Sequence, residues 1–323
     1  MLALKVTLTA LLSLTTTSAE IPPFDSWPSR RIKLPDVSIH LKHHGSGPPL
    51  VLLHGQPQHS LTWHTIAPLL AQEYTVIVPD GRGAGASGIP YPEKYTAEAL
   101  ANDVDGILTA LGVTGKAFIV GYDLGAGAAA AYSHMHPKKI ARLVVSEFAL
   151  PGFGFEGFMV PDAHGSLNSH WHLSLLTAPD AAIFLVQGRE RQFLQWFFWH
   201  AAYSGLAVSL EHLDRYVYEY TKPGHLRSSI GWYPSVLEDA VFFKRMFNGS
   251  KIEAPILYLG GEASAPAELA GPYWEKVGSH VTAVTIPESG HWIGDENSEI
   301  VADRIGEFFG EVRESIPAAG LGN

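Results

Sequence analysis

The stretch Lys116–Ala131, KAFIVGYDLGAGAAAA, decides how the rest of the chain is read. An apolar, β-favouring run, Ala117 to Val120, enters a Gly-x-Asp-x-Gly turn, and an alanine-rich helix begins directly behind it. Gly121 and Gly125 bracket Asp123 at the spacing of a nucleophile elbow, a strained strand-to-helix turn that lifts one side chain above a sheet. The lifted side chain here is a carboxylate, where a serine hydroxyl is the commoner occupant.

Outward from that turn, five more short apolar runs share its strand character: Pro49–Leu53, Thr75–Pro79, Arg142–Ser146, Pro255–Leu259 and Val281–Ile286. Runs apolar on both faces are the mark of a parallel sheet covered on both sides. Helical patterns such as Thr62–Ala71 and Ala97–Leu111 alternate with them, which predicts an α/β fold with a mostly parallel, doubly wound sheet. The alternation stops between Pro151 and about Phe247, a segment rich in Trp, Phe, Tyr and His. It reads as helical over Asp180–Ala202, Leu206–Tyr220 and Leu226–Phe247, and an aromatic helical insert in such a sheet is expected to cap the site. A closing helix, Ser298–Ile316, carries an apolar stripe. The expected organisation is a core in two parts, 20–150 and 248–323, around a cap at 151–247.

A chain of 323 residues with 46% hydrophobic content can bury a large core. Its net charge of −10, spread without long charge runs, argues against nucleic acid or anionic membrane as a partner. At the N-terminus one lysine, Lys5, precedes a short apolar region, Val6–Leu14, and a small-residue site at Thr17-Ser18-Ala19. That pattern predicts a secretory signal peptide over 1–19, cut between Ala19 and Glu20, and it falls short of the roughly 20 apolar residues a membrane span requires. Secretion is expected without disulfides, because there is no cysteine. Asn248-Gly249-Ser250 is a glycosylation sequon, which would suit a secreted glycoprotein.

Ligands in open α/β sheets bind beyond the carboxyl ends of the strands, so the loops after the runs carry the chemistry. After the first run comes His54-Gly55-Gln56-Pro57, where the Gln56 amide can serve as an oxyanion donor. The second, Asp80–Ser87, is glycine-rich but out of register for a dinucleotide fingerprint, and reads as packing beneath the site. The third is the elbow. The fourth opens with Glu147, a carboxylate at the end of an apolar strand, costly to bury without a partner. Beyond the last run stands Ser289-Gly290-His291-Trp292, where a base belongs if the chain order is nucleophile, acid, histidine. The remaining histidines, among them His43-His44 and His134/His136, show no zinc-ligand spacing, so no metal and no cofactor is expected.

Taken together, HGQP, DGRGAGAS, GYDLGAG and SGHW resemble the HGxP, DxRGxGxS, GxDxG and GHW motifs of the α/β-hydrolase superfamily, in its epoxide hydrolase and dehalogenase branch. The resemblance runs from about residue 49 to 309, and within the branch the chain looks most like the secreted, Cif-like epoxide hydrolases. It implies Asp123 as nucleophile, His291 as base, and the amides of Gln56 and Leu124 as oxyanion hole. Many members place the acid after the next-to-last strand, where this chain has Gly260-Gly261-Glu262. Glu147 matches the position used by a minority, and Glu262 is the fallback. In the cap, Tyr233 matches a ring-opening tyrosine, while His170, Trp171 and His172 lie where a second donor is found.

The implied reaction is hydrolysis of a small-molecule epoxide to a vicinal diol through an aspartyl ester, with Tyr233 and His172 steadying the alkoxide. The alternatives are a dehalogenase of haloacid or haloalkane type, a secondary-metabolite hydrolase or cyclase, and a non-catalytic binding protein. The fluoroacetate dehalogenases carry two arginines after the nucleophile where this chain has Leu124 and Gly127, and the haloalkane dehalogenases carry a Trp where it has Leu124. A binding protein has no need to keep Asp123, Glu147 and His291 together.

Overall fold

The computed structural model describes residues 21–160, 166–205 and 207–321, without the side chains of 166–169; the expected signal peptide, 1–19, lies outside these. Eight strands form one sheet: β1 Ser29–Lys33, β2 Ser38–His44, β3 Pro49–Leu53, β4 Thr75–Pro79, β5 Ala117–Tyr122, β6 Ile140–Ser146, β7 Ile256–Gly261 and β8 Val281–Ile286. Their order is β1-β2-β4-β3-β5-β6-β7-β8. From β4 to β8 every pairing is parallel, and β1 and β2 join antiparallel at one edge.

The six parallel strands are the six runs read from the sequence; β3 to β7 are largely buried on both faces, while β8, at the edge of the sheet, exposes Thr282 and Ala283. Leu50, Leu52, Val76 and Val78 pack towards α1 (Ile66–Leu70) and α11 (Ser298–Arg313). Val51, Leu53, Ile77 and Ile119 pack towards α2 (Ala97–Ala110) and α3 (Leu124–Met135). β1 and β2, the antiparallel pair at one end of the sheet, escape that signature. Ser38–His44 alternates half-buried polar residues with buried Ile39, Leu41 and His43, as a strand with one wetter face does.

Among the described residues, five helices lie between β6 and β7: α4 Ser166–Leu176, α5 Pro179–Val186, α6 Glu190–His200, α7 Leu210–Tyr220 and α8 His225–Met246. The helix expected over Asp180–Ala202 is two, broken at Gly188, whose φ of +80° no helix accommodates. The one expected from Leu206 starts at Leu210, where Ser209 accepts from the His212 amide as N-cap. α4 has no counterpart among the expected helices. Two more, α9 Ala267–Glu275 and α10 Ile293–Glu296, flank β8. Among the described residues no helix is long and apolar enough to cross a membrane.

Candidate active site

Asp123 sits at the point where β5 becomes α3, at φ +52° and ψ −132°. A non-glycine residue held there costs on the order of 1–3 kcal/mol, tolerated because the surroundings impose it. They do so by closeness: a Cβ on Gly125 would lie 2.5 Å from the carbonyl oxygen of His54, and one on Gly55 would lie 2.2 Å from Asp123 Oδ1. With both positions bare, the Gln56 amide donates to Asp123 Oδ1 at 2.9 Å. The Leu124 amide donates to the same carboxylate. The two amides expected to form an oxyanion hole therefore converge on the Asp123 carboxylate.

Glu147, at the end of β6, is the second residue with positive φ, +55°. Its side chain is fully buried and has three donors: Gly261 N at 2.5 Å, Ser264 Oγ at 2.6 Å and His291 Nδ1 at 2.9 Å. His291 Nε2 stands 3.7 Å from Asp123 Oδ2. The order Asp123–His291–Glu147 is thus continuous in space. Glu262 is exposed and accepts the Glu288 amide, so it stays out of this line. The loop after β7 contributes donors to an acid held on the neighbouring strand.

Burial dominates the electrostatics. It raises the Asp123 carboxyl above its ordinary value, against the pull of His291 and the two amides. For His291, burial works the other way, but the Glu147 hydrogen bond and the charges of Glu147 and Asp123 outweigh it and leave the imidazole raised. Tyr233 is pushed well above the usual phenol range, by burial and then by Asp123, and is a neutral donor at any ordinary pH.

Above these groups lies a cavity of about 170 Å³, floored by Asp123, Gln56 and His291 and roofed by the cap. Tyr233 from α8 lines it, as do His170, His172 and Leu173 from α4. The His172 ring lies perpendicular to Tyr233 with centroids 6.3 Å apart, and rests against Phe197 at 4.6 Å. Trp171 does not line the cavity; its ring packs on Trp196 at 5.0 Å. No Arg, Lys or Trp is found among the described residues that line it. Leu124 and Gly127 border a separate small void with Phe148 and Trp232, so only the Leu124 backbone reaches the site.

The Asp80–Ser87 loop is packing, as its sequence indicated. Arg82 is buried between Asp36 and Asp103, and Trp232 donates to its carbonyl. Sequence reading missed Gly261, Ser264 and Glu296. One oxygen of Glu296 accepts the Gly290 amide (2.7 Å) and the other the Tyr203 amide (2.6 Å), which ties the histidine loop to the end of the cap. The His291 amide reaches Ala201 O at 2.8 Å in the same seam. Only the three-dimensional register discloses such amide partners, although an acid five residues after the histidine was visible.

Residues 48–298 match the family profile of the alpha/beta hydrolase fold. The chain belongs to that family. Among relatives of this α/β hydrolase, the soluble epoxide hydrolase of Corynebacterium sp. (strain C12) is 30% identical over 289 residues, 85% of this chain and 94% of the relative. The fluoroacetate dehalogenase of Burkholderia sp is 26% identical over 301 residues, 91% and 97% of the two. The crystal structure of Cfl2 from Burkholderia cenocepacia superposes with a TM-score of 0.82 at 28% identity, covering 87% of this hydrolase and 95% of Cfl2.

Proposed function

We propose that this hydrolase opens an epoxide to a vicinal diol through a covalent ester on Asp123. The observation that carries the reading is the composition of the cavity: Tyr233 and His172 line it together with the Asp123 carboxylate, and no Arg or Lys lines its walls among the described residues. A haloacid substrate needs a partner for its own carboxylate, of the kind an arginine supplies bidentately. An epoxide is neutral and needs only a proton or hydrogen bond on the oxygen that leaves carbon.

In the first half-reaction an Asp123 oxygen attacks an epoxide carbon, the C–O bond breaks, and Tyr233 donates to the alkoxide with His172 beside it. In the second, His291, held by Glu147, takes a proton from water whose oxygen attacks the ester carbonyl. The amides of Gln56 and Leu124 receive the developing oxyanion. Collapse then releases the diol and returns Asp123 carrying one oxygen from water.

Repeated turnover in heavy-oxygen water should therefore label Asp123, His291→Gln should accumulate a covalent adduct visible by intact mass, and Asp123→Ala should form no diol. An unlabelled Asp123 after many turnovers of an epoxide would refute the ester. Halide release from haloacetates faster than diol formation from any epoxide in a broad panel would favour the dehalogenase reading. Secretion after cleavage at Ala19 is proposed alongside, and sequencing the N-terminus of the exported protein tests it.

A further inference from the structure

Where α7 of the cap meets the core, three side chains from distant parts of the chain converge. They are His64, just after the 3-10 turn Ser60–Trp63, His212 in the first turn of α7, and Asp295 in α10. One donor atom of each lies within 4.8 Å of the other two. His64 Nδ1 is 4.0 Å from Asp295 Oδ1, and the His64 and His212 rings meet nearly perpendicular with centroids 4.2 Å apart.

His64 Nδ1, the nitrogen 4.0 Å from Asp295 Oδ1, donates to Leu61 O at 3.1 Å, so a metal would be met by Nε2 after a turn of the ring, with the backbone carbonyl supporting the other ring nitrogen. The Asp295 side chain is 5% exposed, yet its hydrogen-bond donor is the neutral amide of Gln58 at 3.3 Å, which is shared with Tyr216 at the same distance. A carboxylate so placed is costly unless a cation or a proton joins it. Arg215, one turn along α7, is already committed to both oxygens of Asp25, at 3.0 and 2.7 Å.

We propose that His64, His212 and Asp295 form a zinc-binding site that ties the cap to the core. Two imidazoles and a carboxylate, with water in a fourth position, are a donor set that Zn²⁺ accepts, whereas the hard cations Ca²⁺ and Mg²⁺ look for more oxygens. Ligands about 2.0–2.2 Å from one ion need the three donors to close in from their present spacing, a movement of side chains rather than backbone. His64 and His212 are partly exposed, which gives the ion a route in. Bound there, zinc would join α7 to α10, the helix that follows the His291 loop.

The test uses tag-free protein stripped with EDTA and titrated with zinc by calorimetry, with a thermal melt at each concentration. One ion per chain and a rising melting temperature are expected, and Co²⁺ should show the visible bands of four-coordination. His64→Ala and His212→Ala should each weaken binding by about 10- to 100-fold or more and remove the cobalt bands, while His134→Ala should leave both unchanged. Circular dichroism confirms that the variants fold, and none of these readouts involves the reaction at Asp123. Absence of stoichiometric binding, or binding that survives both ligand substitutions, overturns the site.

Discussion

Replacing Glu147 by Gln would separate the two half-reactions. The carboxylate accepts from Gly261 N, Ser264 Oγ and His291 Nδ1, so all of its neighbours are donors. An amide can keep its oxygen on only part of that set and must turn its NH₂ towards the rest. On the Gly261 side its NH₂ would set donor against donor; on the other side it meets Ser264 Oγ, which can rotate to accept, and His291 Nδ1 together. Facing His291 Nδ1 forces the proton to Nε2, the atom that must take a proton from water. The equivalent exchange in a serine-protease triad lowers turnover about 10⁴-fold through the same tautomer error, or about 5 kcal/mol.

Attack by Asp123 does not pass through His291, so the ester should still form at near the wild-type rate. The assay is therefore double: rapid-quench intact mass for adduct formation, and steady-state diol production for its hydrolysis. The expected result is stoichiometric adduct with diol formation reduced by about 10³- to 10⁴-fold. Glu262→Gln, at an exposed residue that holds only the Glu288 amide, should change either rate less than about twofold. If Glu147→Gln turned over within tenfold of wild type, or if Glu262→Gln were the more damaging change, the assignment of the acid would be wrong.

Ester hydrolysis needs neutral His291; the Glu147 hydrogen bond and the charges of Glu147 and Asp123 raise that imidazole in the free enzyme despite its burial, and in the ester the Asp123 charge is gone, so the hydrolytic rate should rise with pH through a midpoint below that of His291 in the free enzyme. Tyr233, held protonated well above 10, should impose no upper limit below that pH, as a single-turnover pH profile would show. Tyr233→Phe should slow ester formation by about 10²-fold while leaving hydrolysis of a preformed ester unchanged; the two rates, measured separately, check this, and His172 remaining as a donor keeps the loss at the lower end. Arg82→Met strands the buried Asp103 carboxylate, and a loss of about 3 kcal/mol or more should appear as a melting temperature lower by several degrees.

The inner parallel strands were legible because burial on two faces demands continuous apolar runs, and β3 and β4 begin and end where those runs do. The elbow was legible because its geometry restricts composition: glycine is forced at 125 and 55 by contacts under 3 Å, whatever else varies. The antiparallel strand Ser38–His44 was hidden by its polar alternation, and the Gly261 donor to Glu147 was hidden because a backbone amide leaves no trace in composition. The cap shows a subtler limit. His170, Trp171 and His172 read as one cluster, but successive residues of an α-helix point in directions more than a quarter-turn apart. Residues one and two steps apart therefore diverge, and residues three apart return to nearly the same side. Leu173 falls back beside His170 and also neighbours His172, so those three share one side of α4 and Trp171 points away from it. The cavity lines up with that side, touching residues 170, 172 and 173, while Trp171 lies against Trp196. Helical geometry sets Trp171 opposite the side carrying Leu173, and the packing of Trp171 on Trp196 decides which side lines the cavity. The same division predicts that Leu173→Ala enlarges the cavity whereas Trp171→Ala loosens the cap, a difference that ligand size preference and melting temperature would report separately.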